Sequence, residues 1–252
     1  MNLIQMTIDQ SLAYHISVRY LKVVRKTGLC PFFIKFSVIS RVQFRFQKNI
    51  STADALVRLT ELIFQSLNDK KHNILLLIDL RKAFDTVNHA ILLKKLEFCG
   101  VRGLPLKWFQ SYLSDRRCFV NYKSAASTHA FISTGIPQGS ILGPILFLIY
   151  INDLPTHVSN FQSTLFADDT TICSSDSDFT TLITRTNTEL TKLEDWMTAN
   201  RLTINANKTE MLLFSLRDYT PPDQPVVLGG EILSFISSCK FLSVQKIHFL
   251  II

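Results

Sequence analysis

The predicted fold class is α+β, an antiparallel sheet with helices packed on one face. Two observations carry it. Amphipathic stripes at helical spacing alternate with short apolar or alternating runs, in the order helix, strand, helices, hairpin, helix, hairpin, helix, strands. Two of the strand pairs are chain neighbours joined by short turns, which builds antiparallel sheet, whereas parallel strands need long crossovers.

The first clear helix covers about residues 53–68. Ser51 and Asp54 have capping-box spacing, and Leu56, Leu59, Leu62, Ile63 and Leu67 form one apolar stripe. Residues 73–79, N-I-L-L-L-I-D, read as a buried strand closed by a carboxylate. Helices follow at about 87–98, ended by Gly100, and at about 105–114, where Leu106, Phe109 and Leu113 recur at helical spacing. Residues 117–123 and 128–134 alternate as a hairpin. The Gly/Pro-rich run G-I-P-Q-G-S at 135–140 opens into an apolar helix that reaches about Leu154. Residues 162–174 read as a strand, a turn at Asp168 and Asp169, and a returning strand. A long helix at about 178–198 carries Leu182, Ile183, Leu190, Leu193, Trp196 and Met197, and short strands are expected at about 202–205 and 210–215. Residues 1–42 show no clean period and receive no assignment, and the Pro-containing run at 221–225 reads as a loop.

Composition narrows the function classes. Of 252 residues, 47% are apolar and 19% charged, which suits a packed core and not a disordered chain. A mean hydropathy of +0.19 raises the membrane question. The longest apolar stretch, 141–151, is broken by Gly143 and Pro144 and falls short of the roughly 20 residues a span needs. Asp9 and Gln10 interrupt any signal-like run. No membrane partner is expected, and a nuclear or cytoplasmic rather than secreted location. The net charge of +7 is uneven: residues 1–50 hold eight Lys/Arg against the single acid Asp9, while the remainder balances 19 against 19. A polyanion-binding reading from charge alone would therefore rest on the N-terminal arm. Five scattered cysteines, without C-x-x-C, read as reduced thiols and not as a zinc site or a disulfide frame. The chain contains no G-x-x-x-x-G-K-[ST], H-E-x-x-H or G-x-S-x-G pattern.

Three carboxylates stand out: Asp79 at the end of a buried strand, and Asp168 with Asp169 at a hairpin turn. Taken alone, Asp-Asp at a turn is ordinary turn chemistry. Brought beside Asp79, the pair would make an all-oxygen site suited to Mg²⁺, and two such ions about 4 Å apart would activate a 3′-hydroxyl and stabilise a leaving pyrophosphate. Neighbouring strand residues point to opposite faces, so Asp168 and Asp169 share a site only if the turn relaxes that alternation.

The context of these residues is specific. The segment D-L-R-K-A-F-D-T-V-N-H at 79–89 resembles the first catalytic motif of reverse transcriptases, in the form found in non-LTR (LINE-like) retrotransposons. The run at 135–140, with Leu142-Gly143-Pro144 and I-N-D-L at 151–154, resembles the second. Phe166-Ala167-Asp168-Asp169 resembles the third, and Trp196, Asn200-Arg201-Leu202, Asn205 and Lys208-Thr209 resemble the fourth. Four motifs in order cover about residues 43–216. The resemblance implies a polymerase palm with partial fingers, and an RNA-directed DNA polymerase using two Mg²⁺ ions, or Mn²⁺, with RNA template, DNA primer and dNTPs as partners. It implies that Asp79 and Asp168 hold the metals with Asp169 assisting. Arg81, Lys82 and Ala83 would flank the triphosphate, Phe84 would lie under the sugar and exclude a 2′-hydroxyl, and Gln138 and Gly139 would meet the nucleotide and template base. Lys208 would protonate the pyrophosphate. Asp85 and His89 are expected to organise structure.

The chain also departs from the family pattern. In Q-F-R-F-Q-K-N-I-S-T at 43–52, Arg45 stands where the family has glycine, and Gln47 and Ile50 where it has basic residues. Residues 1–42 are set apart as a divergent basic arm. Residues 217–252 are set apart as a loop and a tail in which K-F-L-S-V at 240–244 resembles the start of a primer-gripping hairpin. The expectation is a chain truncated at both ends, without a thumb. A catalytically silent remnant, or a domesticated nucleic-acid-binding or interaction protein keeping the palm fold, is the alternative.

Overall fold

The computed structural model describes residues 5–9, 38–45, 50–122, 125–137, 139–140, 142–218, 224–241 and 245–248. The elements run β1 (Gln5–Asp9), α1 (Thr52–Asn68), β2 (His72–Ile78), α2 (Ala83–Thr86), α3 (His89–Phe98), α4 (Leu104–Leu113), β3 (Arg116–Tyr122), β4 (Ala125–Ala126), β5 (Ala130–Ile132), α5 (Gly143–Ile151) and α6 (Leu154–His157). They continue with β6 (Gln162–Phe166), β7 (Asp169–Asp176), α7 (Phe179–Ala199), a 3₁₀ turn (Ala206–Lys208), β8 (Glu210–Phe214), β9 (Val226–Leu228), β10 (Glu231–Leu233), β11 (Ser238–Phe241) and β12 (Gln245–His248). Among the described residues no helix is long and apolar enough to cross a membrane, and no disulfide joins Cys99, Cys118, Cys173 or Cys239. Burial pushes the Cys173 thiol up to about 12, which keeps it protonated and inert.

The chain divides into two compact units. Residues 1–39 and 84–150 form the first, and residues 40–83 and 151–252 the second. In the first, β3 is flanked by β1 on one side and by β4 and β5 on the other, all antiparallel. The expected hairpin is thus present, and it gains β1 from the N-terminal stretch that received no assignment. Helices α3 and α4 pack on each other. Residues Leu146, Phe147, Leu148, Ile149 and Tyr150 are all buried, so α5 has no polar face to show in its sequence. It starts at Gly143, whose N–H donates to Ser140 Oγ at 2.9 Å, leaving the preceding residues as loop.

The second unit is built on an antiparallel sheet in the order β6-β7-β2-β8. Ser51 and Asp54 form the expected capping box, and Leu59 and Ile63 of α1 join a core cluster with Leu75, Cys173 and Leu212. Register places Leu75 opposite both Cys173 and Leu212, so α1 covers the face of odd-numbered β2 residues. The opposite face meets α7: Phe179 touches the His72 ring edge-on at 5.4 Å, and Arg185 donates to Ser174 Oγ at 3.3 Å. The α+β class and the antiparallel sheet are as expected, but helices occupy both faces and not one. That coverage is the physical reason β2 is apolar at consecutive positions.

Two local expectations shift. The predicted strand at 202–205 is a single bridge, Leu80 with Ile204, followed by the 3₁₀ turn. The chain bends there because Thr209 N–H donates to the Asn205 carbonyl at 3.0 Å. Hairpin β9–β10 lies beyond the strands read from sequence, and hairpin β11–β12 falls where the 240–244 run resembles the start of a hairpin. The first turns through Gly229 and Gly230 at φ +61° and +80°, the paired positive angles of a tight hairpin turn. The Pro-containing run at 221–223 lies outside the described residues.

Candidate active site

Asp79 directly follows β2 and is half-buried. Its carboxylate Oδ2 accepts from Asn205 Nδ2 at 2.8 Å, and its carbonyl accepts the Asn205 N–H, also at 2.8 Å. Its own N–H donates to Thr209 Oγ1 at 3.4 Å. The next residues remain fixed, since Arg81 N–H donates to the Thr203 carbonyl at 2.8 Å. The segment 203–209 thus holds the end of β2 along its main chain and at the carboxylate.

The β6–β7 hairpin pairs Phe166 with Asp169, so its two turn residues are Ala167 and Asp168. The expected Asp168–Asp169 turn is displaced by one residue: Asp168 lies in the turn and Asp169 opens β7. Ala167 takes φ +59°, as the first position of such a turn demands. Its N–H donates to Gln43 Oε1 at 3.1 Å, and the same oxygen accepts the Arg45 N–H at 2.9 Å. The β2–β7 ladder sets Ile78 against Thr170, so one step further Asp79 faces Asp169. The three carboxylates meet at one end of this sheet, two by strand register and Asp168 through the turn.

The electrostatics agree. Although the Asp169 side chain is solvent-accessible, desolvation pushes its pKa up, followed by the like charges of Asp168 and Asp79, while Arg45 opposes the rise. The Arg45 guanidinium lies over the Phe166 ring at 4.8 Å. Among the described residues no three His, Cys, Asp or Glu side chains form a ready-made metal cage. Mg²⁺ rarely uses one, taking one or two carboxylates together with waters and substrate phosphates. Three carboxylates gathered at one sheet end, with the charges of Asp168 and Asp79 felt at Asp169, are an all-oxygen donor set that fits such a hard cation.

The other expected residues distribute as follows. Arg81 and Lys82 are exposed after β2, Lys82 at φ +47°, and Ala83 is buried at the start of α2. Lys208 is exposed at the end of the 3₁₀ turn. Phe84 and Gly139 belong to the first unit, and Gln138 lies outside the described residues. Phe84 is half-buried and stacks on Phe147 at 4.5 Å. Gly139 takes φ +78° with open space around it, so conformation is what favours glycine there. Close approach belongs instead to Gly135, where a Cβ would meet the Asp85 carbonyl oxygen at 2.7 Å. His89 Nε2 donates to the Gly135 carbonyl at 2.8 Å, and Thr134 Oγ1 donates to the Asp85 carbonyl at 3.2 Å. Asp85 and His89 therefore fasten the glycine-rich loop, the organising part expected of them. Sequence reading placed Asn205 in the fourth motif and Gln43 at the head of the 43–52 run but gave neither side chain a role. The available signal was a polar residue between Val42 and Phe44, and an asparagine three residues before Lys208.

A family model described as reverse transcriptase (RNA-dependent DNA polymerase) matches residues 14–252. The chain belongs to that family. The match takes in most of the arm and the whole tail, and is thus wider than the motif-bearing 43–216. The reverse transcriptase chain is 32% identical over 212 residues to the probable RNA-directed DNA polymerase from transposon BS of Drosophila melanogaster, covering 80% of this chain and 23% of that protein. It is 30% identical over 246 residues to the corresponding X-element protein of the same species, covering 91% and 24%. It therefore spans about a quarter of the length of these relatives. A telomerase from Candida albicans, solved with a TWJ fragment of telomeric RNA, shares the palm fold with a TM-score of 0.60 at 12% identity, covering 96% of this chain and 40% of that one. An apo telomerase from Candida tropicalis gives 0.51 at 14% identity, covering 94% and 45%. Reverse transcriptases generally use divalent metal ions.

Proposed function

We propose that this chain is the polymerase segment of a non-LTR retrotransposon protein, adding dNTPs to a primer 3′-hydroxyl on an RNA template. The observation that supports it most is the gathering of Asp79, Asp168 and Asp169 at one end of a single antiparallel sheet.

Two Mg²⁺ ions bound by these carboxylates, with Mn²⁺ as a substitute, would lower the pKa of the primer hydroxyl and neutralise charge on the leaving pyrophosphate. Asp79 and Asp168 supply the ligand oxygens, and Asp169 adds negative charge beside them. Asn205 keeps the Asp79 carboxylate from rotating. Arg81, Lys82 and the Ala83 amide bind the triphosphate, and Phe84 refuses a ribonucleotide 2′-hydroxyl. Gln138 and Gly139 line the base. As the 3′-hydroxyl releases its proton to solvent and the O3′–Pα bond forms, the bond from Pα to pyrophosphate breaks and Lys208 donates a proton to the departing oxygen. Correct positioning supplies much of the rate in phosphoryl transfer.

Primer extension on an RNA template with Mg²⁺, comparing wild type with Asp168→Ala, tests the reading. Extension by the wild type that Asp168→Ala abolishes is the expected result. No extension by the wild type overturns it, and template binding unaffected by Asp168→Ala without extension favours a binding module that keeps the fold.

A further inference from the structure

Gln43 is 1% exposed, an uncommon setting for an amide side chain. It lies outside the carboxylate-bearing segments, on the outer edge of β6. Its neighbours already pair there: Leu165 N–H donates to the Val42 carbonyl, and Phe44 N–H to the Leu165 carbonyl, both at 2.8 Å. The side chain then reaches past the end of β6. Oε1 accepts the N–H of Ala167 at 3.1 Å and that of Arg45 at 2.9 Å.

Ala167 needs that support. A residue with a Cβ pays roughly 1–2 kcal/mol to adopt the left-handed conformation, and Ala167 holds φ +59°. It is also buried, so its N–H has little access to water. The Gln43 oxygen satisfies this donor in the strained geometry. The next residue is Asp168, whose direction follows from the turn.

We infer that Gln43 is a positioning residue for Asp168, acting through the Ala167 N–H to fix the turn that aims the carboxylate. The inference rests on the reading of Asp168 as a metal ligand. Glutamine suits the task because it offers an acceptor without charge. A glutamate would keep the acceptor but add a further acid close to Asp168 and Asp169, and a methionine would fill the space with no acceptor oxygen.

The test uses the full chain. Amide hydrogen exchange over residues 165–170 is followed by mass spectrometry without metal, and Mn²⁺ binding is titrated by electron paramagnetic resonance. In Gln43→Met, exchange in the turn accelerates while the β2–β7 ladder keeps its protection, and Mn²⁺ affinity falls about 10-fold or more. Gln43→Glu retains slow exchange in the turn. Should Gln43→Met lose its far-UV circular dichroism, Gln43→Asn, one methylene too short to reach, replaces it with the same expected result. Wild-type exchange in the turn of the folded variant overturns the inference, as does faster exchange with undiminished Mn²⁺ affinity. A wild-type protein that binds no Mn²⁺ overturns the metal reading of Asp168 and the positioning role with it, whereas Mn²⁺ binding indifferent to Gln43 overturns only the latter.

Discussion

Asn205 grips Asp79 twice, with its side-chain amide on carboxylate Oδ2 and its main-chain N–H on the carbonyl, each at 2.8 Å. The first contact sets the rotation of the carboxylate and the second sets the path of the chain that bears it. Partners of this kind typically change metal affinity or activity by about 10–100-fold when removed. Asn205→Ala is expected to lower Mn²⁺ affinity and primer extension by that order while leaving the melting temperature within a few degrees. Wild-type affinity in a folded Asn205→Ala protein would show that the side-chain contact is incidental.

Gly135 and Gly139 share a positive φ but differ in their surroundings. Gly139→Ala carries only the conformational penalty, roughly 1–2 kcal/mol. Gly135→Ala adds a clash with the Asp85 carbonyl and is expected to cost more than Gly139→Ala by at least about 1 kcal/mol. Urea denaturation of the two variants measures the difference, and equal midpoints would contradict it.

Ser215 Oγ donates its only proton to the Arg217 carbonyl at 2.8 Å, so His72 Nδ1 must donate to Ser215 Oγ, at 2.7 Å. Protonating His72 would charge its other nitrogen in a buried setting beside Phe179. Burial first, and then the Arg217 cation, hold His72 below its ordinary value of 6.5, against the carboxylates of Asp178 and Asp176. The unfolded chain therefore takes up this proton at higher pH than the folded one. Stability from this group is complete above about pH 6.5 and is lost as pH falls through the lowered pKa. Denaturation between pH 5 and 8 should show a steeper loss on acidification for wild type than for His72→Gln, and parallel profiles would exclude the effect.

Phe84 rests on Phe147 with ring centroids 4.5 Å apart, which fixes the plane of its ring. Phe84→Ala is expected to raise ribonucleotide relative to deoxynucleotide incorporation on the order of 10-fold. It should also destabilise the fold by roughly 1–3 kcal/mol through the lost contact. Unchanged sugar discrimination in a competition assay would leave Phe84 with a packing role alone.

The sequence made the long elements legible because their signals are local. The Ser51–Asp54 box, the stripe from Leu59 to Ile63 and the apolar run of β2 each declare an element within a dozen residues. The carboxylates were legible through their flanking motifs. What escaped depends on distant partners. Strand β1 is fixed by its pairing with residues 117–121; its own alternation, Met6 and Ile8 between polar residues, lasts only five residues and names no partner. Gln43 and Asn205 act on residues 124 and 126 positions away; their motifs marked the residues, but a one-dimensional pattern does not name the partner of either contact. The place of Asp169 was missed by one residue because the turn accepts an alanine where glycine is the usual signal.

The second unit is discontinuous, with the strand that leads to Asp79 in its first segment and both of that strand's partners in its second. On a ribosome this order has a cost in time. Ile78 emerges about ninety residues before Thr170, its partner in the ladder. At ~5–20 residues per second, the apolar β2 waits roughly 5–20 s with both edges open. Residues 84–150 are made during that interval, so the nascent chain carries an unpaired, aggregation-prone strand while its first unit is still being completed. Yield in a cell-free system should accordingly respond more to a chaperone that shields nascent apolar segments than to one added after release.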